Sequence, residues 1–326
     1  MKFVLVTGAT GKQGTAVIRA LLAQDTEGFV ILAVTRDASS PAAKKLCSIS
    51  PTIKLIQGNL DDVPTLFQKA LSLAGQPIWG VYSVQVSMGK GVTSEGEIRQ
   101  GTALIDESIK AGVKHFVYSS VERGGDKASW SNPTPIPHFR TKYNIEHHLR
   151  EATAQGEAGE NMGWTILRPV AFMDNLAPGF QTKAFMTALH NWVGSKPVQW
   201  VATKDIGVFA AKAFNDPKNW NRRAVGLAGD ALNFDDMNEW FQLVTGQPAP
   251  ATFSFVGSAL TFMVPELRAM ISWFSSDGYR ADIKARRADY PDLLTFGRWL
   301  EEESPFETFM KHGAATLGWL IIIDGR

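Results

Sequence analysis

At 326 residues the chain is long enough for one large α/β domain and a smaller lobe, and its 44% apolar and 20% charged composition excludes extended disorder. A formal net charge of +1 excludes a strong general attraction to nucleic acid, so no direct nucleic-acid partner is expected. The single Cys47 excludes an internal disulfide, and no Cys/His cluster has zinc spacing, so no metal site is expected and a reducing, cytoplasmic compartment fits.

The apolar run Phe3–Val6 is too short for a signal-peptide core and reads as a first strand, buried on both faces. Gly8, Gly11 and Gly14 follow it at three-residue spacing, and Thr15–Leu22 has helical periodicity. Strand, glycine turn and helix start together form a site for a dinucleotide pyrophosphate. Glycines let the backbone approach phosphate, and the helix start offers unpaired amides and a positive dipole end. The alternative is an ordinary tight turn. The loop residues Gly8, Thr10, Gly11, Lys12, Gln13 and Gly14 are the candidate pyrophosphate contacts.

Further strands are read at 29–36, 53–58, 78–84, 115–120 and 164–169, with helices at about 42–47, 63–73, 96–111 and 143–153. Strands alternating with helices predict a doubly wound parallel sheet, a Rossmann fold. Residues 1–171 are expected to be the dinucleotide-binding domain, its sheet open to completion by later strands. From about Phe172 the chain becomes rich in Trp, Phe and Met, and 172–326 is expected to be a smaller mixed α/β lobe with a substrate or partner site. There a strand is read at 196–203, a helix at 206–215 capped by Asp205, and a helix at 237–245 capped by Asp235 or Asp236. Trp192, Trp200, Phe253, Phe255, Phe262 and Trp273 are expected mostly in the core, some lining an apolar pocket. The apolar end, Leu317–Asp324, reads as a late strand, a docking tail or an exposed liability, and no stretch is long enough to span a membrane.

Arg36 ends the second strand, where an acid would bind the adenosine ribose and a base accommodates a 2′-phosphate. It points to NADP(H), with Lys44 and Lys45 as helping charges. Asp37 follows directly, so NAD stays open, and a solvated loop arginine is the plain alternative. Asn59, Leu60 and Asp61 end the third strand and should flank the adenine, unless Asp61 or Asp62 only caps the next helix. Ser119-Ser120 end the fifth strand, the polar 124–137 insert follows, and His138-Phe139-Arg140-Thr141-Lys142 opens a helix. His138 and Lys142, four residues apart, share one helix face. His138 is a candidate general acid or a space-filling residue; Lys142 is a candidate cofactor contact and proton carrier. His147 and His148, adjacent on a helix, do not converge on one site, and Arg168 reads as a structural stabiliser of the turn before Asn175.

Together these segments, with Thr165-Ile166-Leu167-Arg168-Pro169 and Val170–Asn175, resemble the NmrA-like family of atypical short-chain dehydrogenase/reductases over roughly the first 250 residues. In related dehydrogenases a Tyr stands four residues before the Lys that binds the nicotinamide ribose; here His138 takes its place. The resemblance implies two outcomes. One is an NADP(H) sensor that alters its grip on a transcription factor or enzyme, in cytoplasm or nucleus. The other is an NADPH-dependent reductase of a small aromatic or apolar substrate that uses Lys142.

Overall fold

A computed structural model describes residues 1–24, 28–89 and 91–309; the apolar segment Leu317–Asp324 lies outside them. In chain order the first elements are β1 (Lys2–Val6), α1 (Lys12–Ala23), β2 (Phe29–Thr35), α2 (Pro41–Cys47), β3 (Ile53–Gln57), α3 (Val63–Ala74), β4 (Ile78–Ser83), α4 (Ser94–Lys110), β5 (His115–Ser119), α5 (Pro137–Ala152) and β6 (Gly163–Pro169). Next come β7 (Ala171–Phe172), α6 (Phe180–Val193), β8 (Val198–Val201), α7 (Thr203–Asn215), α8 (Pro217–Trp220) and β9 (Arg223–Leu227). The last are β10 (Asp230–Leu232), α9 (Phe234–Thr245), α10 (Ser254–Met263), α11 (Pro265–Ser276), α12 (Ile283–Asp289) and α13 (Phe296–Glu302).

Seven strands pair in parallel in the order β3-β2-β1-β4-β5-β6-β9, the doubly wound arrangement expected from the alternating pattern. Helices cover both faces of such a sheet, which is why all seven residues of β2 and all five of β5 are buried. Strand order reverses between β1 and β4, and their C-terminal ends open the crevice where ligands bind in this topology.

Contacts divide the described residues into two units. The first holds Met1–Pro169 and Thr203–Leu227; the second holds Val170–Ala202 and the chain from Ala228. Sequence texture changes near Phe172, yet α7 and β9 return to the first unit. There β9 pairs along β6 from Thr165↔Arg223 to Pro169↔Leu227, closing a sheet edge. Helix α7 crosses α1 at Gly207, where a Cβ would lie 2.5 Å from the Ala16 carbonyl carbon and oxygen, so only glycine permits this approach.

Several local expectations are corrected. Helix α7 begins at Thr203, so Asp205 lies buried in its first turn instead of capping it, and the preceding strand β8 is shortened to Val198–Val201. A carboxylate in the first turn still meets the positive end of the helix dipole. Asn233, not Asp235 or Asp236, caps α9: its side chain accepts from the Asp236 amide, and the Asp236 carboxylate accepts from the Asn233 amide. Trp200 and Trp273 are core residues, but Trp192, Phe253, Phe255 and Phe262 are exposed, the last by 80%. For Phe255 and Phe262 the cause is the face that α10 turns inward. Gly257, with Ala188 and Thr187 close by, and buried Thr261 pack it on α6, leaving Phe255 and Phe262, seven residues apart, on the outer side.

His115, at the start of β5, is buried beside Thr165. The Thr165 hydroxyl donates to the Trp220 carbonyl, so the neutral imidazole donates through Nε2 to Thr165 Oγ1 at 3.0 Å. Burial pulls the His115 pKa down to about 4. Between pH 6.5 and 4 the unfolded chain then binds the proton and the folded one does not. His115 thus favours the fold fully above its unfolded pKa, and that contribution falls by about 3 kcal/mol as acid passes through the window. Urea unfolding at pH 7 and pH 5 is expected to show a stability drop that His115→Gln reduces; the same drop in both proteins would refute the assignment.

Candidate functional site

The chain leaves β1 through Thr7, whose hydroxyl accepts from the Val84 amide at 2.8 Å and donates to the Val84 carbonyl at 2.9 Å. That link joins the ends of β1 and β4 at the switch point. Gly8 then adopts a φ of +58°, and the Gly11 amide donates back to its carbonyl at 2.9 Å. A Cβ on Gly14 would fall 2.2 Å from the Gly8 oxygen, so the turn lies directly on the helix. Gly11 is the N-cap of α1 and offers no side-chain cap, which leaves first-turn amides for an anion.

A cavity of about 470 Å³ opens over this turn, within the usual range of small-molecule sites. Gly8, Thr10, Gly11, Arg36, Asn59, Leu60 and Asp61 all line it, so seven of the expected cofactor residues meet at one place. Lys12, Gln13 and Gly14 form the first turn of α1 just behind, and they are not among the lining residues. Gln13 points inward: its Oε1 accepts from the Tyr82 phenol at 3.2 Å and from the Ser119 hydroxyl at 2.6 Å. Lys44 and Lys45 are exposed in the last turn of α2 and do not line the cavity.

Arg36 is exposed at the tip of β2. Asp37 is turned to its own loop, where its carboxylate accepts from the Ser39 hydroxyl at 2.6 Å and amide at 2.8 Å. Those hydrogen bonds hold its pKa below the ordinary carboxylate value. Asp61 accepts from Gln100 at 2.7 Å and from Asn59 at 2.9 Å, and these bonds likewise hold its carboxyl low. The helix cap here is Asp62, which accepts from the Thr65 amide, so Asp61 is left to the cavity wall.

Lys142 does not line the cavity, but its ammonium donates to Glu97, which does. The Lys142 Nζ lies 2.5 Å from Glu97 Oε1 and 2.5 Å from Ser87 Oγ. Glu97 is a buried carboxylate that sequence reasoning missed: it is one polar residue among several in a solvated-looking helix. His138 is half-buried in the first turn of α5, its ring edge-on to Phe139 with centroids 4.7 Å apart, and it is not among the lining residues. Tyr118 faces the core, where burial first, then the Glu97 and Glu146 carboxylates, raise its phenol well above the usual range. It is not among the residues that line the cavity. His147 and His148 diverge, one to the Trp130 carbonyl and the other to Asp106.

Behind the site lies a second cluster that was not foreseen. The side chains of Arg123, Glu146 and Arg168 are fully buried, with each guanidinium forked on the Glu146 carboxylate. Arg168 also donates to the Asp126 carbonyl and stacks over Trp130 at 4.5 Å. Arg123 donates to the Ser129 and Asn132 carbonyls. Arg168 is therefore structural, but it anchors the 124–137 insert and α5 more than a turn.

Comparison with known proteins places this geometry. An oxidoreductase with an NmrA-like domain from Aspergillus hancockii is 29% identical over 286 residues, 82% of this chain and 79% of that protein. A Dictyostelium discoideum protein with an NmrA-like domain is 32% identical over 258 residues, 77% of this chain and 80% of the relative. Among solved structures, the negative transcriptional regulator Nmra in complex with NADP superposes with a TM-score of 0.67 at 19% identity, covering 98% of this chain and 99% of that one. The triphenylmethane reductase of Citrobacter sp. complexed with NADP(H) gives 0.66 at 20% identity, covering 90% and 97%. At those identities the structural likeness establishes the fold alone. The NmrA-like family model, however, matches residues 1–299, from the glycine turn through the cavity wall and most of the second unit. The chain belongs to the NmrA-like family.

Proposed function

We propose that the chain binds NADP(H) and reports its redox state to a protein partner, a transcription factor or an enzyme, in the cytoplasm or nucleus, with little turnover. Gly8, Thr10 and Gly11, with the first turn Lys12-Gln13-Gly14, hold the pyrophosphate. Arg36 takes the 2′-phosphate, Asn59, Leu60 and Asp61 flank the adenine, and Lys142 meets the nicotinamide ribose. Residues 1–171 supply this binding half, and the smaller lobe supplies the partner surface. The observation that carries the reading is the state of the proton carriers. Tyr118 faces the core, the Ser119 hydroxyl is donated to Gln13, and the Lys142 ammonium is paired with Glu97 and Ser87. No tyrosine occupies the position of His138.

A second reading, an NADPH-dependent reductase of a small aromatic or apolar substrate using Lys142 and His138, is favoured by one feature of the loop after β4. Val86 and Met88 are exposed by 58% and 59% on either side of Ser87, as an apolar substrate would require. The Aspergillus hancockii relative, named an oxidoreductase, leans the same way. NADPH consumption against a panel of aromatic carbonyls and enones decides between the two. The sensor reading expects little turnover, unchanged in folded Lys142→Ala; substantial turnover that disappears in that variant replaces it with the reductase reading.

For the cofactor, Arg36→Ala is expected to weaken NADP⁺ binding roughly 10- to 100-fold while leaving NAD⁺ nearly unchanged, because a hydrogen-bonded charge contact to phosphate is lost. Arg36 lines the cavity and Asp37, turned to Ser39 through Oδ1, does not, which favours the phosphate-bearing ribose. Equal affinity for both cofactors, unaltered by the substitution, would remove the NADP(H) preference.

A further inference from the structure

We propose that Glu97 is a positioning residue that holds the Lys142 ammonium at the cofactor cavity and sets how strongly the site prefers the oxidised or the reduced cofactor. This inference rests on the cofactor-binding reading above. The Glu97 side chain is 1% exposed, yet the residue lines the cavity. Its Oε1 accepts from Lys142 at 2.5 Å and from Ser87 at 2.9 Å, and its Oε2 accepts from Thr141 at 2.7 Å. Ser87 follows β4, Glu97 lies on α4 and Thr141 and Lys142 lie on α5, so the cluster ties three segments together. Two of the three ammonium protons are placed, on Glu97 and Ser87, which orients the third.

The position in the sheet gives this cluster its meaning. A dinucleotide in this topology spans the switch point, here between β1 and β4. The glycine turn after β1, Arg36 after β2 and Asn59 after β3 form the adenosine side. Ser87 and Lys142 follow β4 and β5, on the opposite side, where the nicotinamide half belongs. An oxidised nicotinamide ring carries a positive charge and a reduced ring carries none. Lys142 alone would oppose the oxidised ring; the Glu97 carboxylate cancels that opposition. Of the two arginines that line the cavity, Arg36 stands on the adenosine side and Arg99 is directed to Asp61 at 3.5 Å. A fixed, buried carboxylate thus keeps the local charge neutral and leaves both redox forms able to bind.

Glu97→Gln tests this with little change of shape. Its carbonyl oxygen still accepts from Lys142 and Ser87. The Thr141 hydroxyl can donate to the His138 carbonyl, already 2.9 Å away, and accept from the new amide. Dissociation constants for NADP⁺ and NADPH are measured by titration on wild type, Glu97→Gln, Lys142→Met and the double variant, with thermal unfolding as the folding control. Glu97→Gln is expected to weaken NADP⁺ relative to NADPH by about tenfold, the size of one unit charge acting over roughly 10 Å within a protein. Lys142→Met is expected to move the ratio the opposite way, and the double variant to return it near wild type. A purely structural Glu97 would weaken both forms alike; an unchanged ratio in folded Glu97→Gln overturns the inference while leaving cofactor binding intact. Wild type that binds neither form overturns the cofactor reading itself, and this inference with it.

Discussion

Glu146→Ala is expected to lower the unfolding free energy by about 3–5 kcal/mol, the cost of leaving a buried charge without its partner. The substitution strands two guanidinium groups, since Arg123 and Arg168 are both 0% exposed and each places two nitrogens on this one carboxylate. The excess positive charge is already spread over the carbonyls of Val121, Asp126, Ser129 and Asn132 and the face of Trp130. None of these replaces a carboxylate. Because Arg123 also hydrogen-bonds the insert after β5, the loss should loosen 124–137 together with α5. Urea unfolding with a tryptophan signal measures it, and a Glu146→Ala protein within 1 kcal/mol of wild type would refute the account.

The same cluster gives an acid dependence of definite sign. Burial pushes the Glu146 carboxyl up, but the charges of Arg123 and then Arg168, with their hydrogen bonds, outweigh it, and its pKa ends below the ordinary 4.5. A carboxylate held low when folded stabilises fully above its unfolded pKa. That stabilisation begins to fall only below 4.5 and is lost as pH falls through the folded value, whereas the His115 contribution begins to fall at 6.5. Acid titration of stability is therefore expected to show two stages, the earlier from His115 and the later from Glu146.

Gly14→Ala is expected to reduce NADPH affinity at least 100-fold, equivalent to about 3 kcal/mol. The new Cβ would meet the Gly8 oxygen at 2.2 Å, the Gly8 carbon at 2.6 Å and the Ala9 Cα at 2.7 Å, all backbone atoms that no side-chain rotation can move. Either α1 withdraws or the turn is pushed outward into the space the pyrophosphate needs. Overpacking of this kind also costs about 1–3 kcal/mol of stability. Gly11→Ala is a graded control, because its Cβ would lie 3.2 Å from the Gly8 oxygen and a small adjustment accommodates it. Titration by NADPH fluorescence beside a thermal melt separates the two effects. Wild-type affinity in Gly14→Ala would show that the turn does not carry the phosphates.

Much of the architecture is legible in the residues themselves. Buried parallel strands are short apolar runs, and the helices between them show a 3.6-residue period, so the strands and crossovers through β6 can be read in chain order. The glycine spacing, Arg36 and Asn59–Asp61 are legible for the same reason, since each sits at the end of a strand and sheet topology gathers strand ends at one edge. In the smaller unit the misplaced α10 aromatics are errors of facing. Phe255 and Phe262 share a face, but whether that face meets the core depends on what α10 packs against, and the contact with α6 runs through Gly257 and Thr261.

By itself, then, the sequence determined the order of elements through β6, the glycine turn between β1 and α1, and the histidine at position 138. These are local, periodic or positional properties of the chain. The tertiary structure alone decided which charges meet. Lys142 reaches Glu97 across 45 residues and Glu146 reaches Arg123 and Arg168 across 23 and 22, between elements whose mutual approach no spacing along the chain encodes. Charge pairing inside a protein follows from packing, because desolvation admits a buried carboxylate only where the fold has brought a cation to it. That is why the glycine turn is legible in the sequence and the carboxylate paired with Lys142 is not.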